Sequence, residues 1–151
     1  MNSHYKLIQL LLIWLTSILF IIFYPMLISI YVFLPLFVGV MGYLLMKGMD
    51  ENRIFYIILA LLYFINLEVN LSLPFFLTTI TSLIIYVFFY HHLNYFRKCV
   101  ICRPILSVIL IDGLYLLSLL AYDFVFQTHT IVLDNILMYS LVVDLLVVVF
   151  L

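Results

Sequence analysis

The chain has few charged residues and few of the glycines that phosphate-binding loops need. Of its 151 residues, 9% are charged and four are glycine, whereas ordinary soluble domains are about 25% charged. Six Lys and Arg residues, scattered along the chain, are too few for a nucleic-acid-binding surface. No nucleophile–base pair, phosphate-binding glycine loop or shared face of metal ligands is recognisable. The sequence therefore predicts a non-enzymatic protein without cofactor or metal, and without a separate soluble domain.

Long apolar runs make up most of the sequence, and hydrophobic residues account for 69% of the chain. A helix that crosses the hydrocarbon core of a bilayer needs about 20 residues. The first run is too long for the apolar part of a signal peptide and lacks a small-x-small cleavage site. We predict an all-α polytopic membrane protein, one domain over residues 1–151, with spans at 7–24, 26–46, 54–71, 73–90, 104–122 and 131–151.

The basic residues predict which side of the membrane each gap faces. Cytoplasmic loops accumulate Lys and Arg because short basic loops resist translocation. Lys6 precedes the first span, the other basic residues lie in the second and fourth gaps between the predicted spans, and the remaining gaps hold none. Both termini are therefore predicted to lie in the cytoplasm. The basic residues are Lys6, Lys47, Arg53, Arg97, Lys98 and Arg103.

Three local patterns predict where helices break or meet. Pro25 stands between the first two runs and predicts a tight hairpin there, and Pro104 suits the first turn of span five. Residues 66–73 alternate polar and apolar before Pro74, which discourages a helix at the residue before it. That stretch is either an outer-surface turn after a short helix or a broken helix that reaches into the protein. Gly39 and Gly42 permit close helix approach.

Two aspartates lie inside predicted spans. Asp112 is near the middle of span five and Asp144 is within span six, and no basic residue lies in any span. Because a charge at the bilayer centre costs at least about 2.5 to 3.5 kcal/mol, such residues usually face an interior or a partner. One interpretation is structural, with a protonated or hydrogen-bonded Asp holding helices or a partner. A proton or cation relay is the other, and Asp144 also lies near enough to the cytoplasmic end to reach interfacial water.

The predicted outer gaps carry a second acidic group. Glu68, Asp123 and Asp134 have no basic neighbour in sequence, so the simplest expectation is that they are solvated, with a periplasmic contact as the alternative. Asn66 and Asn70 flank Glu68 at the end of span three. We take Asn66, Glu68, Asn70, Asp112 and Asp144 together as candidates for polar contacts within the membrane or with a partner.

The basic loop between spans four and five contains both cysteines, Cys99 and Cys102. A reducing cytoplasm argues against a structural disulfide there, so we expect two ordinary thiols. A lone CxxC near His91 and His92 leaves zinc or redox chemistry as alternatives, without the second ligand pair that structural zinc usually needs. Aromatic and basic residues at a membrane interface bind lipid headgroups, which makes Arg97, Lys98 and Arg103 a predicted cytoplasmic anchor.

The layout also resembles a known family. The chain opens with "LIQLLLIWLTSILF", continues with "IILALLYFINLEVNLSLPFFLTTITSLIIYVFF", and then has a basic "HHLNYFRK" loop followed by "PILSVILIDGLYLL". This pattern resembles the MreD family of bacterial rod-shape-determining membrane proteins. That family commonly has an acidic residue in the third span and then a Leu-Gly pair, where this chain has Asn66, Glu68 and Leu73-Pro74. Asp112 also matches an intramembrane Asp of the family.

The resemblance implies a scaffold or adaptor of sidewall peptidoglycan synthesis in the bacterial cytoplasmic membrane. Implied partners are an MreC-like bitopic protein and, with it, a RodA-type glycosyltransferase and a class B penicillin-binding protein. The family's helical fold is similar to that of substrate-binding subunits of vitamin transporters. A small-molecule permease or transporter subunit that uses Glu68, Asp112 or Asp144 is therefore the alternative. An immunity-type or other accessory membrane protein is a third.

Overall fold

The computed structural model describes residues 2–31, 33–95, 99, 101–127 and 135–150, and within those ranges the chain is helix and connecting turns without a strand. This confirms the all-α prediction. The helices in these ranges are α1 (Asn2–Ile30), α2 (Val38–Asp50), α3 (Ile54–Asn70), α4 (Leu77–Tyr95), α5 (Cys102–Phe126) and α6 (Asn135–Phe150).

By length and composition, two of these helices are able to cross a membrane. They are residues Leu7–Ile30 of α1 and the whole of α5, Cys102–Phe126. Shorter apolar helices of 10–17 residues occupy Ile54–Asn70, Leu77–Phe89 and Ile136–Phe150. Many large apolar side chains are exposed, such as Leu15 at 60% and Phe88 at 69%. Extensive exposed apolar surface marks a membrane or protein interaction site, so these features support a location in a membrane.

The predicted hairpin at Pro25 is wrong, because α1 continues as one helix to Ile30 with Pro25 inside it. A proline within a helix removes the hydrogen bond to the carbonyl four residues earlier, which here is that of Ile21. Asn66 of α3 replaces the missing donor, since its Nδ2 donates to the Ile21 carbonyl at 2.8 Å and to that of Ile22 at 3.1 Å. Prolines within membrane helices are generally tolerated because groups on neighbouring helices supply the missing hydrogen bonds.

The predicted span 26–46 is consequently not one helix. Residues 33–37 are irregular, and α2 begins only at Val38. Its 13 residues reach about 20 Å at 1.5 Å per residue, less than the bilayer's hydrocarbon thickness of about 30 Å. Pro35 and Leu36 in this segment are buried, so the backbone break lies inside the protein.

Of the two interpretations of the stretch after span three, the structure shows the turn after a helix and not the broken helix. The alternating stretch is helical as far as Asn70, and α4 begins at Leu77 after the turn at 71–76. The extended interpretation of that stretch is therefore wrong, and span four begins later than the predicted residue 73. Pro104 lies in the first turn of α5 as predicted. Residues 131–134 and 151 of the predicted sixth span lie outside the described residues.

Helix α2 lies at the centre of the packing, close to α3, α4, α5 and α6, whereas α1 lies beside α3 alone among the described helices. Gly39 and Gly42 of α2 face α5. A Cβ added at Gly39 would lie 2.7 Å from the Val108 side chain, and one added at Gly42 would lie 2.8 Å from that of Ile111. The predicted close helix approach is thus an approach of α5 to α2.

Candidate functional site

Asp112 of α5 and Asp144 of α6 meet at the first turn of α2. Asp144 Oδ2 accepts a hydrogen bond from the Gly39 N–H at 2.8 Å. A Cβ on Gly39 would lie 2.7 Å from Asp112 Oδ2 and 2.9 Å from its Oδ1. The exposed fractions of Asp112 and Asp144 are 3% and 0%. Because a helix N-terminus carries a partial positive charge from its free N–H groups, two acidic groups are favourably placed at the buried start of α2.

One carboxylate oxygen of each aspartate accepts no hydrogen bond from the described residues. Asp112 Oδ2 and Asp144 Oδ1 have no hydrogen-bond partner among the described residues, and neither does the Tyr115 hydroxyl. The ion pairs seen among the described residues, Arg53–Glu51 and Arg103–Asp50, do not involve either aspartate of this site. The expectation that Asp144 reaches interfacial water is wrong, because its side chain is completely buried.

Glu68 is buried as well, with 1% of its surface exposed, so the expectation that it is solvated is wrong. Its Oε2 accepts from the Phe76 N–H at 2.7 Å, and its Oε1 accepts from the Thr78 N–H at 2.9 Å and the Thr78 hydroxyl at 2.6 Å. The turn at 71–76 folds back over the end of α3 and brings these donors to Glu68. The carboxylate thereby caps α4 from a neighbouring helix.

Asn66 and Asn70 act together at the end of α3. Asn70 Nδ2 donates at 2.8 Å both to the backbone carbonyl of Asn66 and to its Oδ1. That bond leaves the Asn66 amide nitrogen directed at the Ile21 carbonyl of α1. The pair therefore joins α1 to α3 at the helical turn that Pro25 interrupts.

Sequence reasoning missed the side chains that hold the irregular segment 33–37. The Leu36 N–H donates to Ser140 Oγ, the Tyr63 hydroxyl donates to the Leu36 carbonyl, and the Tyr24 hydroxyl donates to the Pro35 carbonyl, each at 2.8 Å. Tyr63 and Tyr115 are completely or almost completely buried, although tyrosine is generally enriched at membrane–water interfaces. A tyrosine in an apolar run carries no sequence signal that separates these two situations.

The predicted cytoplasmic anchor is described only in part. Arg103 Nη2 lies 2.8 Å from Asp50 Oδ2 and so joins the start of α5 to the end of α2. Arg97 and Lys98, like Asp134 of the predicted outer acidic group, lie outside the described residues. Asp123 lies in α5 and is partly buried.

Cys99 and Cys102 form a disulfide, so the expectation of two separate thiols is wrong. Their Cα atoms are 5.3 Å apart, within the usual range for a disulfide, because the chain turns into α5 between them. The Cys102 N–H also lies 3.2 Å from Cys99 Sγ. With the sulfur atoms bonded to each other, neither is available as a thiolate ligand.

The three acidic residues that are buried in the described part of the chain lie against backbone N–H groups of the chain itself. Glu68 caps α4 and Asp144 caps α2, while Asp112 lies against Gly39. Glu68, Asp112 and Asp144 are absent from the linings of three cavities between described residues. Comparison of the chain with protein-family models, curated proteins and solved structures gives no match.

Proposed function

We propose that this chain is a non-enzymatic scaffold or adaptor in the membrane-embedded machinery of bacterial cell elongation, where it supports sidewall peptidoglycan synthesis and cell shape. The observation that carries this proposal is the use of the buried carboxylates. Glu68 and Asp144 accept hydrogen bonds from backbone N–H groups at the starts of α4 and α2. Groups committed to helix ends build a rigid framework, which suits a scaffold. The resemblance of the sequence to the MreD family supplies the biological setting.

We further propose that the chain crosses the bacterial cytoplasmic membrane six times, with both termini in the cytoplasm. The distribution of basic residues supports this topology. In it, α2 and the irregular segment before it form the second crossing. A backbone break at membrane depth is tolerated when it is buried in protein, and hydroxyls from three other helices satisfy the break at Pro35 and Leu36.

The exposed surface of α1 supports the part of the proposal that concerns a partner protein. Because α1 lies beside α3 alone among the described helices, most of its circumference is open to lipid or to a neighbour. An open groove of about 410 Å³ runs between α1, α2 and α3, with the small residues Thr16 and Ser17 on its α1 side. Small polar residues favour helix–helix packing in membranes. We place the membrane helix of an MreC-like bitopic protein in this groove, and through it the RodA-type glycosyltransferase and class B penicillin-binding protein.

Two experiments in the native host test the proposal. Depletion of the protein should turn rod-shaped or helical cells round, and a photo-crosslinking residue at Ser17 should capture a single-span partner. The control is the same residue at Leu15, which is 60% exposed and lies about 200° around the helix from Ser17. Unchanged cell shape, or equal capture from both positions, would contradict the scaffold.

A small-molecule permease or transporter subunit is the second candidate. Two carboxylate oxygens, Asp112 Oδ2 and Asp144 Oδ1, have no hydrogen-bond partner among the described residues, which supports this candidate. They lie at the N-terminus of the short helix α2. Transporter substrate and ion sites use the ends of such discontinuous helices. Depletion that leaves shape unchanged but abolishes uptake of a nutrient would favour this candidate.

A further inference from the structure

Two neighbouring cavities meet near the C-terminal end of α2. The first, of about 120 Å³, is lined mostly by residues with polar or charged side chains, which include Asp50, Glu51, Arg103 and Ser107. The second, of about 190 Å³, is lined mostly by apolar residues, which include Leu44, Ile101, Pro104, Val148 and Val149. Tyr43 and Lys47 line both. One chamber lined mostly by polar residue types and a second lined mostly by apolar ones, with Tyr43 and Lys47 in both linings, match a ligand with a polar head and an apolar tail.

The charges around the polar cavity leave one cation over. Asp50 is paired with Arg103 at 2.8 Å, and Glu51 is paired with Arg53 at 2.9 Å. Lys47 makes no ion pair in the part of the chain that the structure describes. Among the described residues, Lys47 is thus the charged side chain of this lining that has no opposite charge paired with it. An anionic head therefore fits the chamber better than a cationic or a neutral one.

The place of the cavities decides what kind of anion reaches them. Under the proposed topology, on which this inference depends, Lys47 and Arg103 lie at the cytoplasmic edge of the membrane. Basic pockets between membrane helices on that side bind lipid headgroups, and the long alkyl stem of a lysine packs on apolar surface while its ammonium reaches a polar group. We infer that the paired cavities bind one anionic phospholipid, with its phosphate at Lys47 and Arg103 and an acyl chain along Leu44, Ile101 and Val149.

The test compares Lys47→Ala with Arg53→Ala. Both variants remove one cytoplasmic positive charge, but Arg53 lines neither cavity. Each protein is purified in mild detergent, and its retention of added phosphatidylglycerol is measured by native mass spectrometry, with phosphatidylethanolamine as the competitor. Loss of one basic residue near a membrane surface lowers lipid affinity about fivefold. We expect that loss for Lys47→Ala, retention in Lys47→Arg, and near-normal binding in Arg53→Ala.

A second variant tests the apolar chamber. Val149→Trp should fill it, because Val149 lies on the lipid-facing end of α6 at 50% exposure, and lipid retention should fall while Lys47 is intact. This variant decides the question if Lys47→Ala does not fold. Equal retention by the Lys47 and Arg53 variants would refute the site, as would no effect of Val149→Trp or displacement of the lipid by inorganic phosphate. Failure of the wild-type chain to enter the membrane fraction would instead refute the proposed membrane location.

Discussion

Asn66 donates a hydrogen bond to the carbonyl of Ile21, which has no backbone donor from within its own helix because the residue four positions later is Pro25. The bond connects two helices at the point where one of them loses its own hydrogen-bonding pattern. It explains how a 29-residue helix passes through a proline. The role of Asn66 as a donor to this carbonyl therefore depends on the proline at position 25.

A double-mutant cycle tests this relationship. Asn66→Leu should lower the free energy of unfolding by about 1 to 3 kcal/mol, because it leaves a carbonyl without a partner. In a Pro25→Ala background the backbone N–H of the new alanine supplies the missing donor, and the same substitution should cost less than half as much. Unfolding in mixed detergent micelles measures all four proteins. Additive effects of the two substitutions would contradict the pairing.

Gly39 and Gly42 of α2 should not tolerate a side chain. Gly39→Ala places a Cβ 2.7 Å from Asp112 Oδ2 and Val108 Cγ1, and Gly42→Ala places one 2.8 Å from Ile111 Cδ1. Overpacking of this kind costs about 1 to 3 kcal/mol, measured as a lower free energy of unfolding. Gly113→Ala is the control because nothing lies within 4 Å of its added Cβ. There, alanine should be neutral or stabilise the helix by up to about 1 kcal/mol.

Glu68→Gln should be almost as damaging as Glu68→Ala. Both carboxylate oxygens of Glu68 accept hydrogen bonds, one from Phe76 and the other from Thr78. An amide offers one acceptor only and turns its NH₂ group toward a backbone N–H, so stability should fall by about 1 to 3 kcal/mol. Glu51→Gln is the matched control, since its pair with Arg53 is exposed and worth at most about 1 kcal/mol. Equal stability losses for both Gln variants would refute the capping role.

Two substitutions at Asp112 separate a structural role from proton transfer. Asp112→Asn keeps the size and most hydrogen bonding, so a structural role predicts normal assembly and nearly normal cell shape. Asp112→Leu removes the polar contact, which is worth about 0.6 to 2 kcal/mol between membrane helices, and should weaken partner association more. Co-purification and cell shape are the measurements. An Asp112→Asn protein that assembles but has no activity would contradict the structural role and favour the transporter.

Reporter fusions test the proposed topology at four positions. Fusions after Asp50 and Lys98 should report the cytoplasm, because the basic gaps resist translocation. Fusions after Asn70 and His129 should report the opposite side. Alkaline phosphatase and a cytoplasmic fluorescent reporter at each position give complementary signals. A cytoplasmic signal after Asn70, or an external one after Lys98, would overturn the six-span arrangement.

The helical class was predictable because long apolar runs and the position of Pro104 are local signals. The continuation of α1 through Pro25 was not, since the compensating donor Asn66 lies 45 residues from Ile21. Glu68 shows the same limit. A carboxylate beside a polar turn is indistinguishable in sequence from a solvated one, and only the fold-back of 71–76 brings Phe76 and Thr78 to it. Sequence distance separates the partners in both cases.

The buried break before α2 has a consequence for the order in which the protein is made. Leu36 and Gly39 find their partners in Ser140 and Asp144, which are 104 and 105 residues further along the chain. While α6 is still unsynthesised, both backbone N–H groups lack those acceptors in an apolar setting, where each unsatisfied group costs several kcal/mol. Under the proposed topology, the hydrogen bonding of the break before α2 is therefore completed only after α6 has been made and has packed against it.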